Sequence, residues 1–260
     1  MKRHKTLRGI ALATLFGVLV YAVLLFVSDW RQVGDALAAF DVGTLALVLG
    51  LTLICYFSRT IRLRYLMGVC ETQISWKDAF YVQFSGMTMT ITPGKVGEIL
   101  KAFLAHELTG LPLSRGVALV LVERLGDLLA VLVISVGGLA LLDQGVLAFA
   151  IAAGGTTLAV FLLSREWFHD FALRSLKRQK RFERYHLSAG SLLSTIHTTL
   201  QPRPLAASMA LSLVGWGSEA FAFHLTLRAL GFDGLGIFPA MAVYAVSTIA
   251  GASLPERPVM

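Results

Sequence analysis

The sequence predicts an all-α polytopic membrane protein, and two observations lead to that prediction. Apolar residues occupy 56% of the 260 positions, only 15% of the residues are charged, and the mean hydropathy is +0.70. The apolar residues also gather in runs of about 20, the length that an α-helix needs to cross the hydrocarbon core of a bilayer. We therefore expect one transmembrane domain over residues 1–260, with about six transmembrane helices and a shorter helical hairpin.

The transmembrane helices are predicted from the apolar runs in chain order. The first run, residues 9–27, follows a basic start and is about 19 residues long, and no small-residue cleavage site follows it, so a retained helix is favoured over a signal peptide. The remaining runs are expected to span at residues 42–57, 116–142, 145–163, 204–227 and 237–254.

A re-entrant helical hairpin is expected over residues 79–107, because the apolar run that begins at residue 79 stops at a Pro-Gly pair. Pro93 has no N–H group and disfavours a helical residue before it, and Gly94 can adopt a positive φ that reverses the chain. Two full crossings are the alternative. They are disfavoured because each charge of "GKVGEILKAFLAHELTGLPL" would cost about 2.5–3.5 kcal/mol near the membrane centre.

The basic residues predict the orientation of the chain. Lys and Arg concentrate in residues 2–8, 59–77, 95–115 and 165–203, whereas the other connections are mainly acidic. The positive-inside rule places these groups and the N-terminus in the cytoplasm. Residues 165–203 are expected to form a basic interfacial segment on anionic lipid, and nucleic acid is not expected as a partner because no recognition module is present. Lipid-surface contacts are expected from Arg62, Arg64, Arg174, Lys177, Arg178, Lys180 and Arg181.

The hairpin tip is the first candidate binding site. The returning helix begins there, so its free N–H groups and positive dipole end point into the membrane interior, where they favour an anion. We expect Lys95 and Lys101 to neutralise that anion. Glu98 lies in the first turn and has two interpretations, a partner of the helix dipole or a member of the site. The candidate residues of the tip are Pro93, Gly94, Lys95, Gly97, Glu98 and Lys101.

A second candidate lies in "VERLGD", inside an apolar run. Glu123 and Asp127 are four residues apart and share a helix face, and Arg124 is three residues from Asp127 and able to pair with it. Charges inside a span usually face a partner or a polar cavity. An internal ion pair that only locks the helix is the alternative, but the three charges leave one carboxylate in need of a cation. Arg62 or Arg64 is the expected donor, unless both contact lipid phosphates.

No catalytic, metal-binding or cofactor-binding set is predicted. Cys55 and Cys70 are expected to behave as small hydrophobes, and Glu219 and His224 as polar groups in helix packing.

Two motifs and their separation resemble a known family. "TPGKVGEILKAFL", the linker "GLPLSRG" and "ALVLVERLGDLLAVLV" resemble the core of the lysylphosphatidylglycerol synthase transmembrane-region family, whose members are flippase-like. The similarity covers residues 5–254. It implies a multi-pass protein of the bacterial cytoplasmic (inner) membrane that is not itself an enzyme, because the synthases of the family carry an additional soluble aminoacyl-transfer domain. Family members usually have a second Pro-Gly-Gly turn near "SLPERPVM", so we expect a second re-entrant element that is truncated at the C-terminus.

The resemblance implies two functions of different kinds. The first is translocation or binding of an anionic or headgroup-modified lipid, with an anionic phospholipid or lipid-linked substrate as the ligand. The second is an accessory membrane subunit that presents a lipid-linked intermediate to a cell-envelope biosynthesis enzyme. A second copy of the chain or that enzyme would then be the protein partner.

Overall fold

The computed structural model describes residue 34 and residues 40–88, 97–136, 146–177 and 186–253. All regular secondary structure in these ranges is helical, which confirms the all-α prediction for them. The first apolar run, the hairpin tip with Pro93, Gly94 and Lys95, and the end of the chain lie outside the described residues. The described helices are α1 (Val42–Val69), α2 (Trp76–Thr88), α3 (Gly97–Thr109), α4 (Leu113–Ser135), α5 (Val146–Leu163), α6 (Glu166–Lys177), α7 (His186–Thr199), α8 (Pro202–Ala229) and α9 (Ile237–Ser253).

Helix α4 lies at the centre of the described structure. It contacts α1, α3, α5, α7, α8 and α9, while α8 makes its most extensive contact with α1. Small residues allow these close approaches. At Gly116, for example, an added Cβ would lie 3.0 Å from both the Cα and the carbonyl oxygen of Ala102, so α3 rests directly on the backbone of α4. The central position of α4 brings its charged residues next to several other helices.

The two arms of the expected hairpin are present as α2 and α3, which pack against each other. Ser75 begins α2 by accepting a hydrogen bond from the Asp78 backbone N–H at 3.1 Å, and its hydroxyl donates to the Asp78 carboxylate at 2.7 Å. Each arm has 13 residues. A helix of that length extends about 20 Å, less than the hydrocarbon core of about 30 Å. The described part of each arm is therefore shorter than a bilayer crossing, and re-entry from one side stays a prediction.

Two helices of the described residues, α1 and α8, are long and apolar enough to cross a membrane. A third span results if α5 and α6, which meet at an angle of 82°, are counted as one bent element, and α9 contains a shorter apolar stretch. Helix α4 carries more charge than an ordinary span because four of its residues are Arg115, Glu123, Arg124 and Asp127. The number of about six spans remains a prediction from the length of the apolar runs.

Helix α1 is longer than the sequence predicted. We expected it to end near residue 57, but it starts at the N-cap Asp41, whose side chain accepts from Thr44 N–H at 2.9 Å, and continues to Val69. The assignment of Arg59, Arg62 and Arg64 to a loop is therefore wrong. The helix continues because Leu66 and Met67 are fully buried in the main core, so the added turns contribute packing.

The expected interfacial segment over residues 165–203 contains two different structures. Helix α6 turns away from α5 and exposes Trp167, Phe171 and Arg174, as an interfacial helix does. Helix α7 instead packs on α4 and buries Ile196 in the main core, so only part of its surface is open, and an interfacial position stays a prediction for it. Its hydroxyl groups mostly bond to carbonyls of their own helix and thus tolerate burial. Arg178, Lys180 and Arg181 lie outside the described residues, as does the side chain of Lys177.

Candidate functional site

Six charged side chains from α1, α3 and α4 form a connected set between these helices. Three are cations and three are carboxylates, so their formal charges sum to zero. We call this set the buried ion network. Its members are Arg62, Glu98, Lys101, Glu123, Arg124 and Asp127.

Arg62 is the cation at the deep end of the network. Its Nη1 lies 2.5 Å from Oδ1 of Asp127 and also donates to the hydroxyl of Ser212 on α8, while its Nε lies 4.0 Å from Oε1 of Glu123. Arg62 is only 1% exposed. Arg62 is thus the additional cation expected as a partner for the unpaired carboxylate of Glu123, Arg124 and Asp127. The lipid-surface contact expected for Arg62 is wrong, because the guanidinium is enclosed by three helices.

Lys101 joins the hairpin to α4. Its Nζ lies 2.5 Å from Oε2 of Glu123, and both residues are buried. The stem of Lys101 crosses α2 at Gly86, where an added Cβ would collide with the Lys101 side chain. The sequence predicted that Lys101 neutralises a lipid anion. In the structure this charge is held by Glu123, so a ligand has to compete with that carboxylate.

Arg124 forms the open end of the network. Its Nε lies 2.8 Å from Oε2 of Glu98 and its Nη1 lies 3.5 Å from Oδ2 of Asp127. The Arg124 side chain is 37% exposed, in contrast to the buried Arg62 and Lys101. Glu98 stands in the first turn of α3, beside the positive end of the helix dipole, and its ion pair with Arg124 is an additional contact, while its membership of a binding site stays a prediction. The open end therefore adjoins the start of α3.

Some polar atoms of the network make no hydrogen bond with the described residues. They include Arg62 Nε, Glu123 Oε1 and Asp127 Oδ2. Buried polar atoms in proteins are nearly always hydrogen-bonded, and leaving one without a partner costs about 1–3 kcal/mol. These atoms are the points at which the network has spare donor and acceptor capacity for an exchange of partners.

A second polar cluster lies one helical turn from Arg62 along α1. Arg59 Nη2 lies 3.5 Å from Oε2 of Glu219 on α8, the Tyr244 hydroxyl of α9 donates to the same oxygen at 3.1 Å, and the Arg59 guanidinium lies 4.7 Å from the ring centroid of Trp216. The packing role expected for Glu219 agrees with this position among three helices. Sequence reasoning missed Arg59, Trp216 and Tyr244, although the spacing of Arg59 and Arg62 on a continuing helix was an available signal.

A family model for the lysylphosphatidylglycerol synthase transmembrane region matches residues 14–255. The chain belongs to this family. Searches of curated proteins and of solved structures found no match. As a member of the lysylphosphatidylglycerol synthase transmembrane-region family it is a membrane protein with a lipid-related role, and the matched range contains both polar clusters.

Proposed function

We propose that this protein binds an anionic or headgroup-modified lipid and moves it between the leaflets of the bacterial cytoplasmic membrane. The observation that carries the proposal is the buried ion network, which connects an enclosed cation, Arg62, to a partly exposed one, Arg124. Ionisable groups among apolar helices are costly and usually line a substrate or ion path. The N-terminus is proposed to lie in the cytoplasm, as the loop charges predict.

The lipid phosphate is proposed to enter at the open end. Arg124 divides its guanidinium between Glu98 and Asp127, so a phosphate can replace one carboxylate without removing all its partners. The first N–H groups of α3 lie beside Glu98 and favour an anion. Gly94 and Lys95, which lie outside the described residues, are proposed to complete this end. The sequence predicts Lys95 at the helix start, where a cation is electrostatically unfavourable for the helix alone, and an anion between Lys95 and the helix would remove that conflict.

Passage further inward is proposed to use an exchange of ion-pair partners. Glu123 binds Lys101 through Oε2, while its Oε1 lies 4.0 Å from Arg62 Nε. Neither Glu123 Oε1 nor Arg62 Nε makes a hydrogen bond with the described part of the chain. A small shift of α3 relative to α4 would transfer Glu123 from Lys101 to Arg62. Lys101 would then be released for the phosphate, which is the role that the sequence predicted for it.

The purified chain in liposomes tests this function. The liposomes contain a trace of fluorescent phosphatidylglycerol or, in a separate sample, of fluorescent phosphatidylcholine. Dithionite is then added to each sample with and without a proton gradient. We expect dithionite to quench inner-leaflet phosphatidylglycerol only in vesicles that contain the protein. Lys95→Gln should slow this movement, while Arg203→Gln, which removes an exposed charge at the start of α8, should not.

Two outcomes would contradict the proposal. If phosphatidylglycerol binds but stays in its leaflet under both conditions, the accessory-subunit function is favoured, since presenting a lipid to an enzyme requires binding alone. If Lys95→Gln moves phosphatidylglycerol at the rate of Arg203→Gln, the phosphate does not pass the hairpin tip.

A further inference from the structure

A wide cavity lies outside the ion network, where α1 ends and α2 begins. Its volume is about 710 Å³, and it is lined from α1 by Ile61, Arg64 and Tyr65 and from the connection to α2 by residues 72–76. Ile61, Tyr65 and Trp76 are exposed there, although they are large and apolar. The cavity thus combines one cation with an open apolar wall.

Arg64 holds a fixed position in this cavity. Its Nε donates to the carbonyl oxygen of Ile74 at 3.2 Å, and its guanidinium lies 4.4 Å from the ring centroid of Trp76. No carboxylate of the described residues lies within ion-pair distance of it, whereas Arg62, two residues earlier, is held by Asp127. A pre-oriented guanidinium with no acidic partner is suited to bind a phosphate through its terminal N–H groups.

An apolar stripe leads from the cavity along the exposed side of α1. It consists of exposed residues spaced three or four apart, Ile54, Phe57, Ile61 and Tyr65. The stripe is about 16 Å long at 1.5 Å per residue, which is comparable to much of an acyl chain. Tyr65 and Trp76 at its end are the residue types that lie at the level of the lipid headgroups.

We propose that this groove is a binding site for one bilayer phospholipid, with its phosphate on Arg64 and an acyl chain along Ile61 and Phe57. If α1 crosses the bilayer as its length and composition predict, the charge lies at headgroup level and the apolar stripe leads away from it into the hydrocarbon, in the order in which a phospholipid presents these groups. The site is separate from the ion network, because Arg64 opens to the cavity and Arg62 is enclosed. It holds a resident lipid between α1 and the base of the hairpin, which goes beyond the proposed translocation.

Native mass spectrometry of the purified full chain tests the site. The probes are phosphatidylglycerol, diacylglycerol with the same chains, and inorganic phosphate. Arg64→Gln is expected to weaken phosphatidylglycerol binding about tenfold, as loss of a charge-assisted hydrogen bond predicts. Lys77→Gln is the matched control, because it removes an exposed charge next to Trp76 that does not line the cavity. Trp76→Leu, which keeps Arg64 but removes its ring partner, is expected to weaken binding about threefold.

The outcomes separate the possible ligands. Weak diacylglycerol binding and no competition from inorganic phosphate would support a phospholipid site. Competition by inorganic phosphate would overturn it in favour of a free anion, and equal affinity for diacylglycerol would overturn the phosphate contact. If Arg64→Gln does not fold, Trp76→Leu decides, and unchanged affinity in that variant counts against the site. Lipid movement by Trp76→Leu should equal that of the wild type, so failure of this site is distinguishable from failure of translocation.

Discussion

Replacing Arg62 with alanine is expected to lower the free energy of unfolding by about 3–5 kcal/mol, because removal of one partner from a buried ion pair leaves an uncompensated charge. The carboxylate left behind is Asp127, whose Oδ1 lies 2.5 Å from Arg62, and Glu123 loses its neighbour at 4.0 Å. The loss is a large part of the stability of a typical domain, about 5–15 kcal/mol, so a reduced yield of folded protein is also expected.

Thermal unfolding in a mild detergent measures this effect, and Arg64→Ala provides a matched control. Arg64 lies two residues later on the same helix, but it is only partly buried and its side chain bonds to a backbone carbonyl. We expect its replacement to cost about 1 kcal/mol. Equal destabilisation by the two variants would mean that the Arg62 ion pairs contribute little to folding.

Replacing Lys101 with methionine is expected to have an effect of similar size. Methionine retains an unbranched stem where Lys101 passes Gly86, so the change mainly removes the charge from Glu123, which is 1% exposed. The cost of stranding that carboxylate is about 3–5 kcal/mol. The hairpin should loosen before the rest of the protein, because Lys101 connects α3 to α4.

A double-mutant cycle with Glu123→Gln isolates the interaction energy of the Lys101–Glu123 pair from the effects of each substitution on other contacts. We expect Lys101→Met and Glu123→Gln together to be less destabilising than the sum of the single variants, with a coupling energy of about 1–3 kcal/mol. Hydrogen exchange of the backbone amides of α2 and α3 measures the loosening of the hairpin directly. Additive single effects with unchanged exchange in these helices would rule out the ion pair as the connection between hairpin and α4.

The sequence predicted the helical class and most of the ion network, because both depend on local spacing. The residues Glu123, Arg124 and Asp127 are three or four apart, so one helix brings them together. These three charges leave one carboxylate without a cation, and Arg62 was one of the two residues considered as its partner. The choice between Arg62 and Arg64 could not be made, since the partners of Arg62 are 65 and 150 residues away along the chain.

The burial of polar residues could not be predicted from the sequence. The arginines at 59 and 62 indicated a cytoplasmic loop, because polar groups are normally solvated. These arginines, like the buried hydroxyl groups of α7, have partners inside the protein. Arg59 and Arg62 pair with carboxylates on α8 and α4, and Thr195 and Thr199 donate to carbonyls four residues earlier. Polarity along the sequence does not reveal such internal pairing.

Lipid movement by the double variant Arg62→Met/Asp127→Leu decides whether the buried ion network is a path for headgroups or only holds the helices together. The substitution replaces one ion pair with apolar side chains of similar size, while Lys101 remains paired with Glu123 and Arg124 with Glu98. Such replacements are often neutral or stabilising, so the fold should survive. We predict wild-type unfolding behaviour and no movement of fluorescent phosphatidylglycerol across liposome membranes. Movement at the wild-type rate would show that the network is structural and that the lipid takes another path.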